Sequence, residues 1–175
     1  MDKKCVLVTG GVRNGKSNFG ESLFTDIVAS RLCYIATMYR NPSDDETTAR
    51  IEKHRIQRAG RGFDTLERMT DLSGLPLAGY DGALLECLPN LLANEMFMTE
   101  NGADNAAAAI MAGLDALLES VPKVVVITND VFSDGMEYAK ETMQYMDILA
   151  RLNNHLASKA DEVYELVCGI PLRLK

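Results

Sequence analysis

Eight residues near the start, Gly10-Gly11-Val12-Arg13-Asn14-Gly15-Lys16-Ser17, constrain the fold of this 175-residue chain more than any others. They read G-x-x-x-x-G-K-S, the phosphate-loop signature, and their flanks agree with it. The run Cys5-Val6-Leu7-Val8-Thr9 before them is short, continuous and apolar, as a strand buried on both faces is. After them Phe19, Leu23 and Ile27 recur at helical spacing. In a strand–loop–helix of this kind the glycines let backbone N–H groups turn inward around phosphate oxygens, and the helix adds its positive end. Lys16 is placed to reach the β/γ-phosphates, and the hydroxyl of Ser17 to meet Mg²⁺. A glycine turn that merely precedes a helix is the bland alternative; the agreement of all eight positions with both flanks argues against it.

The rest of the chain alternates in the same way. Further short apolar runs at Leu32–Ala36, Ala83–Cys87, Val124–Thr128 and Val163–Cys168 predict strands. Between them helical spacing covers Lys16–Ala29 (weakened by Gly20), Asp44–Ala59, Leu88–Met98, Asn105–Glu119 and Glu137–Lys159. In the last of these Tyr138, Thr142, Tyr145, Leu149, Leu152 and Leu156 form one stripe. Alternation predicts an α/β fold, P-loop NTPase-like, with a mostly parallel sheet and helices on both faces. With 47% hydrophobic and 25% charged residues and no linker, residues 1–175 read as a single P-loop nucleotide-binding domain. The net charge of −7 argues against a nucleic-acid partner. No apolar run reaches the ~20 residues of a membrane span, and the first one is too short for a signal peptide. A cytoplasmic protein is expected. Cys5, Cys33, Cys87 and Cys168 each sit in a strand-like run without metal-site spacing, so buried, reduced thiols are expected.

Two further stretches carry chemistry. Ser43-Asp44-Asp45-Glu46 forms a capping box, and Arg50, His54 and Arg58 then share one helix face. Guanidinium neighbours disfavour the imidazolium, so His54 is expected to be neutral, a nucleophile or base, with arginines to draw an anion to it. A solvated, salt-bridged helix face carrying a bystander histidine fits the same spacing. His155 reads as structural or surface. Glu86 ends the strand that begins at Gly82, where a P-loop enzyme holds Mg²⁺ directly or through water; the alternative is a carboxylate capping the helix that Pro89 opens. Asn129-Asp130 also falls at the ligand edge of a strand, or in ordinary turn chemistry.

Taken together, Thr9-Gly10-Gly11-x-Arg13-x-Gly15-Lys16-Ser17, Tyr34-Ile35-Ala36-Thr37, and Asp45-Glu46-x-x-x-Arg50-Ile51-x-x-His54 resemble one family. It is the bifunctional adenosylcobinamide kinase / adenosylcobinamide-phosphate guanylyltransferase family of cobalamin synthesis. Thr65-x-Glu67, Leu85-Glu86-Cys87-Leu88 with Asn94, Thr128-Asn129-x-Val131 and Gly169-Ile170-Pro171-Leu172 extend the resemblance along nearly the whole chain. The resemblance implies a kinase step on adenosylcobinamide with ATP or GTP, then transfer of GMP from GTP to adenosylcobinamide phosphate. It implies His54 as the guanylylated residue. It implies nucleotide binding by Gly10 to Ser17 (Gly10, Gly11, Val12, Arg13, Asn14, Gly15, Lys16, Ser17), by Ala36, Thr37 and Met38, by Arg55, Ile56, Gln57 and Arg58, and by Glu67 and Glu86. It also implies Mg²⁺ on Ser17 and Glu86, and a homotrimer.

The chain departs from the family after the fourth predicted strand. Where the family has Asn-Glu-Val-Gly-x-Gly-Ile-Val-Pro, this sequence has Asn129-Asp130-Val131-Phe132-Ser133-Asp134-Gly135-Met136-Glu137. Met143 and Met146 stand where two arginines are expected, and Pro89 where a threonine is. A P-loop small-molecule kinase without a covalent histidine, or a nucleotide-binding protein that has lost one or both activities, shares the phosphate loop and stays open on the residues alone.

Overall fold

The computed structural model describes residues 3–25, 31–39, 62–100, 102–132 and 135–175, apart from the side chain of Asp104. The expected helix Asp44–Ala59, with its capping box, His54, Arg55, Ile56, Gln57 and Arg58, lies outside the described residues. The strands are β1 (Lys4–Gly10), β2 (Leu32–Ala36), β3 (Phe63–Glu67), β4 (Gly82–Leu85), β5 (Lys123–Ile127), β6 (Glu162–Val167) and β7 (Ile170–Arg173). The described helices are α1 (Lys16–Ser22), α2 (Leu88–Phe97), α3 (Gly102–Ser120) and α4 (Lys140–Lys159).

The strands form one sheet in the order β3-β2-β4-β5-β1-β6-β7. Every pairing is parallel except β6 with β7. The central strands are apolar on both faces because both are covered. Cys5, Leu7, Cys33, Ile35, Ala83, Leu85, Val124 and Val126 face a core completed by α2, α3 and α4. Val6, Val8, Leu32, Tyr34, Leu84, Val125 and Ile127 face the other side, with Phe19, Leu23 and Phe24 from α1 and the turn after it. Adjacent residues thus divide between two cores, as the two-residue period of a strand demands. The α4 stripe is anchored by Ile148, Leu149, Leu152 and Leu156, all fully buried.

Gly20 weakens α1 as a helix but lets it lie close on the sheet. A Cβ there would meet Ile127 Cδ1 at 3.2 Å and the methyls of Leu84 and Val125 at 3.4 Å. The helix is shorter than its periodicity suggests. Residues 23–25 form a turn in which Phe24 and Thr25 donate to the carbonyls of Glu21 and Ser22, and the hydroxyls of Ser22 and Thr25 bond back to Phe19 and Ser22. Such local bonds compete with the helical ladder. At the other end of the chain α4 starts at Lys140, after an extended Ala139, so Tyr138 lies outside it and is exposed.

Two strands lack the apolar pattern that marks the others. β3 is an edge strand with Asp64, Thr65 and Glu67 exposed, and only its pairing with β2 makes it a strand. β7 follows a two-residue turn, Cys168-Gly169, with φ of 50° and 81°. Positive φ at both residues suits a hairpin whose twist matches its strands. Pro171 is tolerated because β7 is an edge. The turn corrects the expectation for the thiols: Cys5 and Cys33 are buried and Cys87 half-buried, but Cys168 sits exposed at the hairpin tip.

Candidate active site

The glycine loop leaves the carboxyl end of β1, inside the sheet between β5 and β6. Its shape depends on β6. Gly10 has φ 132°, and a Cβ there would lie 2.5 Å from the carbonyl oxygen of Leu166, so only glycine passes at this point. The Asn14 amide donates to the same carbonyl at 3.2 Å. Arg13 (φ 62°) and Gly15 (φ 82°) complete the reversal, and Gly15 caps α1 without a side-chain bond of its own. Val12 and Arg13 are exposed, Gly11, Asn14 and Ser17 half-exposed. Lys16 is buried, and its ammonium donates to the Gly11 carbonyl at 2.6 Å, so the loop closes on its own lysine. Burial pushes the Lys16 pKa down, and Cys87 lies near enough to pull it back up.

The end of β4 lies at the same edge of the sheet. β4 lies two strands from β1, about 10 Å across the sheet at the usual spacing. Glu86 is the first residue beyond β4 and is buried. Its Oε2 accepts the backbone N–H of Thr37 at 3.3 Å, and its own N–H donates to Ile35. Ala36 and Met38 are half-buried at the end of β2, with Thr37 fully buried between them. The Thr37 hydroxyl donates to the Cys87 carbonyl at 3.0 Å. Glu67 stands exposed at the end of β3, in register with Ala36. The expected positions from β1, β2, β3 and β4 thus share the carboxyl edge of the sheet, where ligands of open α/β sheets bind.

The helix-capping alternative for Glu86 finds no support, because α2 has Cys87 at its N-cap and no side-chain capping bond. For Asp130 turn chemistry describes the geometry: its Oδ1 accepts the Phe132 N–H at 3.1 Å, and its own N–H reaches the Gly10 carbonyl at 3.4 Å. His155 is structural, its Nε2 2.8 Å from Asp115, which also pairs with Lys159. Two asparagines outside the expected nucleotide site tie this edge together. Asn94, buried on α2, donates to the carbonyls of Thr37 and Met69 at 2.8 and 2.9 Å. Asn153 on α4 accepts the Thr128 hydroxyl at 2.7 Å and donates to Asn129 at 3.4 Å. Asn94 is one of the residues that carry the family resemblance, and it is a buried amide on a helix whose other buried residues include Leu88, Leu91 and Leu92, but neither signal names its partners.

Residues 6–174 match the family described as cobinamide kinase / cobinamide phosphate guanyltransferase. The chain belongs to this family. Its members are enzymes with kinase and nucleotidyltransferase activity. The bifunctional adenosylcobalamin biosynthesis protein CobU of Escherichia coli is 35% identical over 186 residues, covering 97% of this chain and 99% of that protein. CobU of Salmonella typhimurium is 34% identical over 183 residues with the same coverage. The bifunctional protein CobP of Pseudomonas aeruginosa is 26% identical, over 97% of this chain and 96% of its own. Among solved structures, the flagellar accessory protein FlaH of Methanocaldococcus jannaschii superposes with a TM-score of 0.53 at 12% identity, covering 98% of this chain and 78% of FlaH. A KaiC-like protein of Pyrococcus horikoshii gives 0.50 at 11%, covering 93% and 70%. At such identities the likeness is one of fold: the expected P-loop NTPase-like arrangement is present. Among the described residues no helix is long and apolar enough to cross a membrane.

Proposed function

We propose that this chain phosphorylates the aminopropanol hydroxyl of adenosylcobinamide and then transfers GMP from GTP to the resulting phosphate, through a covalent His54 intermediate. The observation that carries the reading is the family match across residues 6–174, joined to a glycine loop that closes on its buried Lys16 at the sheet edge where β4 ends in Glu86. In the kinase step the substrate oxygen attacks the γ-phosphorus of ATP or GTP, and the nucleoside diphosphate leaves. In the transfer step a neutral His54 nitrogen attacks the α-phosphorus of GTP, and the bond to the β-phosphate oxygen breaks, releasing pyrophosphate. The phosphate of the acceptor then attacks the same phosphorus, the P–N bond breaks, and adenosylcobinamide-GDP forms.

Lys16, released from the Gly11 carbonyl, would offset charge on the triphosphate, while loop N–H groups orient it. Arg55 and Arg58, next to His54 in sequence, would steady the group in transit, with Ile56, Gln57, Ala36, Thr37, Met38 and Glu67 contributing to the nucleotide site. The hydroxyl of Ser17 and the carboxylate of Glu86 suit Mg²⁺, which prefers hard oxygens and keeps waters and substrate phosphates rather than an all-protein cage. When bound, Mg²⁺ would supply charge neutralisation at the phosphates. A single-domain, cytoplasmic homotrimer completes the proposal.

Incubation with α-labelled GTP and Mg²⁺ tests it. Acid-labile, base-stable label on the protein, absent in His54→Ala, is expected. An unlabelled protein that still phosphorylates adenosylcobinamide would mark a kinase without a covalent histidine. Nucleotide binding with no turnover of adenosylcobinamide would mark a protein that has lost catalysis.

A further inference from the structure

The carboxylate of Glu86 can serve a metal only if its direction is held, and the chain holds it from behind. Oε2 of Glu86 accepts the Thr37 N–H at 3.3 Å. The backbone of Thr37 is held on its carboxyl side as well, since the carbonyl of the following peptide unit accepts from Asn94 Nδ2 at 2.8 Å. The same nitrogen donates to the Met69 carbonyl at 2.9 Å, and the Thr37 hydroxyl to Cys87 at 3.0 Å. Two carbonyl acceptors on one amide nitrogen fix its orientation, because the amide oxygen turned that way would face two oxygens. The neighbouring residue works in the same sense: Glu95, 2% exposed, accepts the Asp71 N–H at 2.5 Å. One turn of α2 therefore grips the chain beyond β2 and beyond β3 at once. The amide is buried at 7% exposure, where these bonds have little competition from water.

We infer that Asn94 is a positioning residue for the nucleotide site: by holding the backbone of Thr37, whose N–H meets Glu86, it sets the direction of the Glu86 carboxylate, and so tunes metal-dependent nucleotide binding without touching nucleotide. The inference rests on the proposed metal-side role of Glu86. Partners that orient a metal ligand commonly change metal affinity by about 10–100-fold when removed, and the lower end is expected here.

The test measures binding of a fluorescent GTP analogue as Mg²⁺ is varied, for the wild type, Glu86→Gln, Asn94→Ala and the double variant. Asn94→Ala is expected to raise the half-saturating Mg²⁺ about tenfold while binding without Mg²⁺ stays within about twofold. The double variant is expected to be no worse than Glu86→Gln, because both changes act on one carboxylate. A shift in Glu86→Gln with none in Asn94→Ala refutes the inference and leaves the metal-side reading standing. An unchanged Mg²⁺ requirement in Glu86→Gln refutes both. Equal loss of Mg²⁺-free and Mg²⁺-dependent binding in Asn94→Ala assigns the residue to folding alone and also refutes the inference. If melting shows that Asn94→Ala does not fold, Asn94→Asp, equal in size but an acceptor in place of a donor, carries the same comparison.

Discussion

Gly10→Ala should be among the most damaging single-methyl additions in the chain. The methyl would stand 2.5 Å from the Leu166 carbonyl oxygen and 3.1 Å from its nitrogen, against 3.4 Å for the near edge of an ordinary contact. Gly10 and Leu166 are register partners in adjacent parallel strands, and Leu166 is 1% exposed between β1 and β7. The obstacle is backbone held on both sides, not the end of a flexible side chain. Overpacking of this kind costs about 1–3 kcal/mol. Holding alanine at φ 132°, a region L-residues avoid, adds about 1–3 kcal/mol. The sum is roughly 4 kcal/mol, which for a chain of this size lowers Tm by about 8–16 °C. Gly62→Ala is the control: φ is 78°, but nothing lies within 4 Å of the added methyl, so only the backbone share, about 1 kcal/mol, is expected. Urea denaturation of both variants, with nucleotide binding measured beside it, checks the reasoning. A Gly10→Ala loss no larger than that of Gly62→Ala would refute the claim that the β6 backbone dictates this glycine.

Burial, aided by Asp161 at Cys5 and by Asp64 at Cys33, pushes both thiols from 9.0 to about 11. Stability should be flat with respect to these groups below pH 9 and fall from there through about pH 11, since the unfolded chain releases protons that the folded one retains, by up to about 3 kcal/mol per thiol. At pH 8 a thiol reagent should modify the exposed Cys168 quickly and leave Cys5 and Cys33 unmodified until the chain unfolds, which mass spectrometry would report. Asp115→Ala removes the partner shared by His155 and Lys159, but both sit at a partly exposed helix surface, so a loss below about 1 kcal/mol, smaller still in high salt, is expected from denaturation.

Of the strands legible in the sequence, β1, β2, β4 and β5 are buried on both faces, and burial writes a continuous apolar run; β6 shows enough of that run to be legible although it is only partly buried. β3 and β7 lie at the two edges, where pairing supplies strand structure without demanding an apolar pattern. The hairpin before β7 was further disguised by Cys168, a residue that seldom signals a positive-φ turn. The sequence pattern puts the start of α4 three residues early, because the stripe through Tyr138 continues the helical spacing into extended chain. The place of Glu86 at the carboxyl edge of the sheet is legible because it directly follows an apolar strand. The roles of Asn94 and Asn153 are not, since an amide inside a helix looks the same whether it faces water or two carbonyls.

By itself the sequence determined the class of fold and the phosphate-binding edge. Both follow from local physics: the glycine spacing that lets N–H groups converge, and an alternation of strand and helix that closes only as a covered parallel sheet. Tertiary structure alone decided that the loop leans on β6, through the Leu166 carbonyl that excludes a Cβ at Gly10 and receives Asn14. It alone decided that α2 grips two strand ends and directs Glu86. These contacts join residues 24 to 156 positions apart in the chain, and no local pattern records which distant backbone group a side chain will meet.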